Sequence, residues 1–104
     1  MIIERGTFFE ITPAEMPFNS GHVVLRSSKP LAHLADDEVA ELAASLKRIV
    51  AKIESVYRPE GYNVILLDDR IEVVPRWCGD ISFTALLGLK TTPQTPQMIY
   101  ESLK

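Results

Sequence analysis

Apolar residues recur at the spacing of one helical face through residues 37–57: Val39, Leu42, Leu46, Ile49, Val50, Ile53, Val56 and Tyr57. Glu41, Lys47, Arg48, Lys52 and Glu54 mostly take the other faces. The pattern predicts one long helix. Asp36 is its expected N-cap, and Asp37 and Glu38 place negative charge on the first turn, where the helix dipole favours it. Pro59 and Gly61 are expected to stop it.

Shorter, strand-like patterns flank this helix. Residues 8–12 and 22–26 are β-rich and predict two paired strands. The stretch 13–21 between them holds two prolines, Asn19, Ser20 and Gly21, and reads as a loop. Residues 27–35 are irregular, with Pro30 breaking any regular element. After the helix, residues 63–67 are β-branched and aliphatic, and 70–74 alternate polar with apolar. Only Asp68 and Asp69 lie between, a length that suits a two-residue hairpin. Asp-Asp is a weaker turn signal than Asn-Gly, because neither residue escapes the cost of positive φ. Pro75 has no N–H for a ladder, so the second strand is expected to end there or lie at an edge.

Beyond Trp77, Gly79 and Asp80 predict a turn, 83–89 an apolar segment and 90–96 a Thr/Pro-rich loop. Thr95 is expected to cap a last short helix that begins at Pro96, with Met98, Ile99 and Leu103 as its apolar side. The predicted fold class is α+β, an antiparallel sheet packed on one long helix plus a short C-terminal helix. One apolar stripe needs one apolar surface, and the sheet supplies it. The other sheet face and an edge stay uncovered, which predicts a homodimer.

Length and composition narrow the classes. A chain of 104 residues without repeat, low-complexity tract or linker reads as a single domain over 1–104. The net charge of −3 argues against a nucleic-acid groove, which needs a basic face. No apolar run approaches the roughly 20 residues of a membrane helix. The N-terminal stretch mixes charges among its apolar residues, unlike a signal peptide. A lone Cys78 excludes an internal disulfide, fits a reducing cytoplasm and reads as a plain thiol beside Trp77. His22, on a predicted strand, reads as a hydrogen-bonded structural group, and His33 as a solvated loop residue. No Cys/His spacing supports zinc; turn and cap roles account for Asp68, Asp69 and Asp80, so neither metal nor cofactor is expected.

The stretch 61–80, GYNVILLDDRIEVVPRWCGD, resembles the end of a histidine-triad domain in the diadenosine tetraphosphate phosphorylase-like branch. That branch carries His-x-His-x-His-x-x-Pro-Arg-Trp-x-Gly-Asp with a Phe shortly after. The tail is intact here as Pro75, Arg76, Trp77, Gly79, Asp80 and Phe83, and Phe18, Asn19, Gly21 and His22 match the family segment leading into a strand. The three histidine places fall on Asp68, Arg70 and Glu72. The likeness runs from about Phe8 to the C-terminus, and implies a chain that starts after the additional N-terminal segment with which some of these domains open.

In the family, the resemblance implies, the middle imidazole attacks phosphorus and forms a covalent nucleotidyl-enzyme. A guanidinium at Arg70 stays protonated and offers no lone pair, so it can hold a phosphate but cannot attack one. Glu72 would repel phosphate or pair with Arg70 along the strand face, the pairing being the favoured reading. The loop of about ten residues that cradles phosphate before the triad is reduced to Asp68 and Asp69. A phosphate-binding Asn aligns near Leu67, the ribose-holding residue near Ala14, and a further family histidine on Pro30. Arg70 and Arg76 are candidate phosphate ligands, and Trp77 a candidate base or dimer contact, weighed against plain packing.

These readings favour a degenerate, catalytically inactive module for interaction or regulation, dimeric and with residual nucleotide binding. The alternative is a nucleotide phosphohydrolase or nucleotidyltransferase with rebuilt chemistry, in which Arg70 and Arg76 clamp phosphate and Glu72 or Asp80 activates water. A small α+β dimerisation domain without nucleotide affinity is the third.

Overall fold

The computed structural model describes residues 1–77 and 95–103. Among these residues five strands form one antiparallel sheet: β1 (Glu4–Arg5), β2 (Phe9–Pro13), β3 (Val23–Ser27), β4 (Gly61–Leu66) and β5 (Arg70–Arg76), in the order β1-β2-β3-β5-β4. The long helix α1 (Asp36–Tyr57) separates the two halves of the sheet in sequence, and α2 (Pro96–Leu103) closes the chain. This is the α+β arrangement that the hydrophobic pattern predicts.

Strand alternation divides the sheet into two faces. Phe9, Ile11, Val23, Leu25, Ile71 and Val73 turn to one side and form the core with Leu42, Ile49 and Ile53 of α1. Each such side chain, fully buried, contributes roughly 1.5–3 kcal/mol. The opposite face carries Glu10, Thr12, Arg26, Arg70 and Glu72 in register across β2, β3 and β5.

The contacting stripe of α1 is shorter than its sequence pattern. Leu42, Ser45, Ile49 and Ile53 are buried, but Val39, Val56 and Tyr57 are exposed. A helix of 22 residues is about 33 Å long, against roughly 20 Å for strands of this length; its first turns meet Thr7 and Lys29 and its end meets Gly21 and Trp77, at opposite ends of the strands, so it overruns them. Asp36 is the first helical residue and not the cap. Ala35 holds the N-cap position in extended backbone, and its N–H donates to Glu38 Oε1 (2.8 Å), half of a capping box. At the other end Arg58 takes a left-handed conformation (φ 50°) and its N–H donates to the Glu54 carbonyl, closing the helix one residue before Pro59.

Pro75 does not end its strand, which runs on to Arg76. The β3–β5 pairing stops at Val73, so no β3 carbonyl requires an N–H from residue 75. The Pro75 carbonyl accepts instead from Asn19 Nδ2 (2.6 Å). β1 has no signature in the hydrophobic pattern, being two residues long. Thr95 does cap α2, its hydroxyl accepting the Met98 N–H (3.2 Å). The residues Cys78, Gly79, Asp80 and Phe83, and the apolar segment 83–89, lie outside the described residues.

Candidate functional site

β5 lies between β3 and β4, and its even-numbered residues face away from α1. The register sets Arg26 opposite Arg70 and Val24 opposite Glu72. Residues 14–21 run beside this face and form the second wall of a cleft of about 240 Å³. Ala14, Glu15, Met16 and Phe18 line it from the loop, and Arg26, Arg70 and Glu72 from the sheet.

His22 joins the two walls. It is buried (4% exposed), and its Nε2 lies 2.9 Å from Glu72 Oε1. Its Nδ1 accepts the Phe18 N–H (3.1 Å), so Nε2 carries the proton and donates to Glu72. The Phe18 ring lies tilted over the imidazole, with centroids 5.7 Å apart. Asn19 and Gly21 fix the rest of the loop: Asn19 through the Pro75 carbonyl, Gly21 through a φ of 87° and a tight fit. A Cβ at Gly21 would sit 3.0 Å from both Pro75 Cγ and Tyr57 Cδ2. The segment Phe18, Asn19, Gly21 and His22 thus holds one wall of the cleft against β5.

The three residues that the motif aligns with the triad histidines do not converge. Asp68 is exposed in the β4–β5 connection, outside the cleft lining, and its carbonyl accepts the Leu31 N–H (2.8 Å). Asp68 and Asp69 make the two-residue turn without positive φ, and the Leu67 N–H closes it on the Arg70 carbonyl (2.8 Å). Arg70 and Glu72 do share the cleft. Arg70 Nε stands 3.6 Å from Glu72 Oε2, an ionic contact too long for a hydrogen bond. The closer partner of Glu72 is His22, a pairing across 50 residues that strand patterns do not reveal.

Arg76 and Trp77 lie outside the cleft lining. Six residues along β5 separate Arg76 from Arg70, roughly 20 Å, so the two cannot grip one phosphate. The Arg76 guanidinium covers Gly61, where a Cβ would meet Nη2 at 2.5 Å. The Trp77 indole N–H donates to the Tyr57 carbonyl (3.2 Å) at the C-terminal end of α1. His33 is exposed at the end of a single 3₁₀ turn. Among the described residues no group of three or more His, Cys, Asp or Glu side chains is placed to hold a metal ion. Nor is any described helix long and apolar enough to cross a membrane.

A five-stranded antiparallel sheet on one long helix among the described residues, with a small cleft on its open face, defines an α+β domain of the histidine-triad fold. The chain resembles the AP-4-A phosphorylase of two Mycobacterium tuberculosis strains, 33% identical over 109 residues that take in 90% of this chain and 56% of each relative. It therefore spans about half the length of the curated relatives it matches. Solved structures with this fold include a HIT family protein from Bacillus anthracis (TM-score 0.68, 12% identity, 95% of this chain and 75% of that one). A HIT family member from Bacillus subtilis gives a TM-score of 0.68 at 14% identity, with 98% of this chain and 84% of that one covered. A zinc-bound histidine triad family protein from Mycobacterium smegmatis gives 0.60 at 22% identity, with 76% and 67% covered. No family model matches. In sequence the chain is similar to these AP-4-A phosphorylases, and in fold to histidine-triad proteins.

Proposed function

We propose that this chain is a histidine-triad domain without the family's nucleotidyl chemistry, acting as a dimeric interaction or regulatory module with a residual nucleotide-phosphate site. One observation supports this reading: Arg70, which the family motif aligns with the nucleophilic imidazole, lines the cleft. A permanently protonated guanidinium can bind a phosphoryl group but cannot form a bond to its phosphorus. The remaining carboxylate in that row, Glu72, accepts a hydrogen bond from His22 on one oxygen and has Arg70 beside the other. That leaves it poorly disposed to activate water, which weighs against a rebuilt hydrolase even though a cleft exists at Arg70.

The dimer rests on the sheet edge. β4 is one of the two outer strands among the described residues, and Val64 and Leu66 along it and Leu67 just past it are exposed (55%, 68% and 39%). An apolar strand edge of this kind is normally covered, and a second copy of the chain is the proposed cover. A cytoplasmic setting fits the single cysteine.

The test is incubation of the pure protein with adenosine diphosphate and diadenosine polyphosphates, followed by chromatography of the nucleotides. The reading expects no turnover. Turnover that disappears in the double variant Arg70→Ala, Glu72→Ala overturns it.

A further inference from the structure

Arg26 and Arg70 face one another across the β3–β5 ladder, on the open side of the sheet, and both line the cleft. Opposed residues on an antiparallel pair hold their Cβ atoms about 4.5–5.5 Å apart, and like charges there repel. Among the described residues Arg26 makes no ion pair, and Arg70 has only the 3.6 Å contact with Glu72. Arg26 Nη1 donates to the Thr12 hydroxyl (3.1 Å). Arg70 Nε is shielded from solvent and has no hydrogen-bond partner, Glu72 standing 3.6 Å away and engaged by His22. Glu10, the cross-strand neighbour of Arg26 on β2, lies 3.6 Å from Arg5. The arrangement is one that an added anion stabilises.

We propose that Arg26 and Arg70 form a two-guanidinium clamp for a single phosphomonoester group. The proposal rests on the reading that this cleft retains phosphate binding, and it names both the ligand class and a residue, Arg26, that the family motif does not contain. Two guanidiniums match the two negative charges of a phosphomonoester, and each presents paired N–H donors suited to phosphate oxygens. Glu15 and Glu72 also line the cleft and oppose any further negative charge, which disfavours a polyphosphate chain. Size points the same way: the cleft, about 240 Å³, falls below the roughly 300–1,000 Å³ of sites for drug-sized ligands. The exposed Met16 and Phe18 at the rim offer apolar surface to whatever group the phosphate carries.

The experiment titrates the intact chain with inorganic phosphate, ribose 5-phosphate, AMP, ATP and adenosine, by calorimetry and by amide NMR shifts. Phosphate, ribose 5-phosphate and AMP are expected to bind, with ATP weaker than AMP and adenosine silent. Arg26→Gln and Arg70→Gln are each expected to weaken AMP by roughly tenfold or more, while Arg76→Gln leaves it unchanged. Arg26→Lys, which keeps the charge but not the fork, should fall between. AMP binding that is indifferent to Arg26 overturns the clamp and leaves nucleotide binding standing. Arg26-dependent binding of phosphate and ribose 5-phosphate, with AMP no tighter than either, upholds the clamp and removes the nucleotide. Absence of binding by every phosphate compound to the wild-type chain overturns the clamp outright.

Discussion

Glu72 Oε1 accepts a hydrogen bond from His22 Nε2 at 2.9 Å, and through that bond the residue that the motif aligns with the third triad histidine is tied to the loop that walls the cleft. The imidazole is nearly inaccessible and uses both nitrogens, one toward Glu72 and one toward the Phe18 amide. A carboxylate that would repel phosphate in a working triad thus has a structural role here. It satisfies a buried donor and sets the tautomer that lets Nδ1 accept.

Removing that acceptor should cost stability. Glu72→Ala leaves a buried N–H unpaired, and is expected to destabilise the chain by about 1–3 kcal/mol. Glu72→Gln keeps an acceptor oxygen and should cost less. Urea denaturation of both variants checks the order.

Gly21 is expected to resist substitution. Gly21→Ala places a side chain at φ 87° and within 3.0 Å of Pro75 and Tyr57. A loss of about 1–3 kcal/mol follows from the strained backbone and the crowding together. Thermal melting reads the loss, and the Phe18 amide shift reports whether the loop has moved.

The carboxyl of Glu4 titrates below its ordinary value of 4.5, chiefly because it accepts a hydrogen bond from Arg48 (2.7 Å) and next because of Ser45. A carboxyl whose pKa is lowered by folding adds stability above its ordinary pKa and loses it as pH falls through the lowered one. Arg48→Met should therefore cost stability near neutral pH. The gap to wild type should close as the pH drops below about 4.5. With Arg48 more than half exposed, the gap is expected to be about 1 kcal/mol or less. Denaturation midpoints across the acid range measure it.

The β4 edge makes a prediction about assembly. Leu66 is 68% exposed on this outer strand, so Leu66→Lys removes apolar surface without emptying the core. If a second copy covers this edge, the substitution should shift the chain from dimer to monomer in light scattering while leaving the melting of the monomer little changed.

The sequence made the large elements legible because each writes a periodic signal. The α1 stripe, the two hairpins and the Thr95 cap follow from spacing and from single residues with fixed backbone habits. β1 writes no such signal, because two residues carry no period. Asp36 looks like a cap by type, yet Glu38 reaching back to Ala35 does that work one residue earlier. Arg70 and Arg76 share a strand face in sequence, but the rise per residue sets them far apart. The pairings that build the cleft, His22 with Glu72 and Arg26 with Arg70, depend on the register of β3 against β5. That register is fixed by the packed core, and no local pattern contains it.

Intact-mass measurement of the protein after incubation with a diadenosine polyphosphate tests the proposed absence of nucleotidyl transfer most directly. If Arg70 stands in the nucleophile's place as proposed, the spectrum should show the unmodified chain alone, at every time point. A mass increase of one nucleotidyl group, absent from Arg70→Ala, would contradict it.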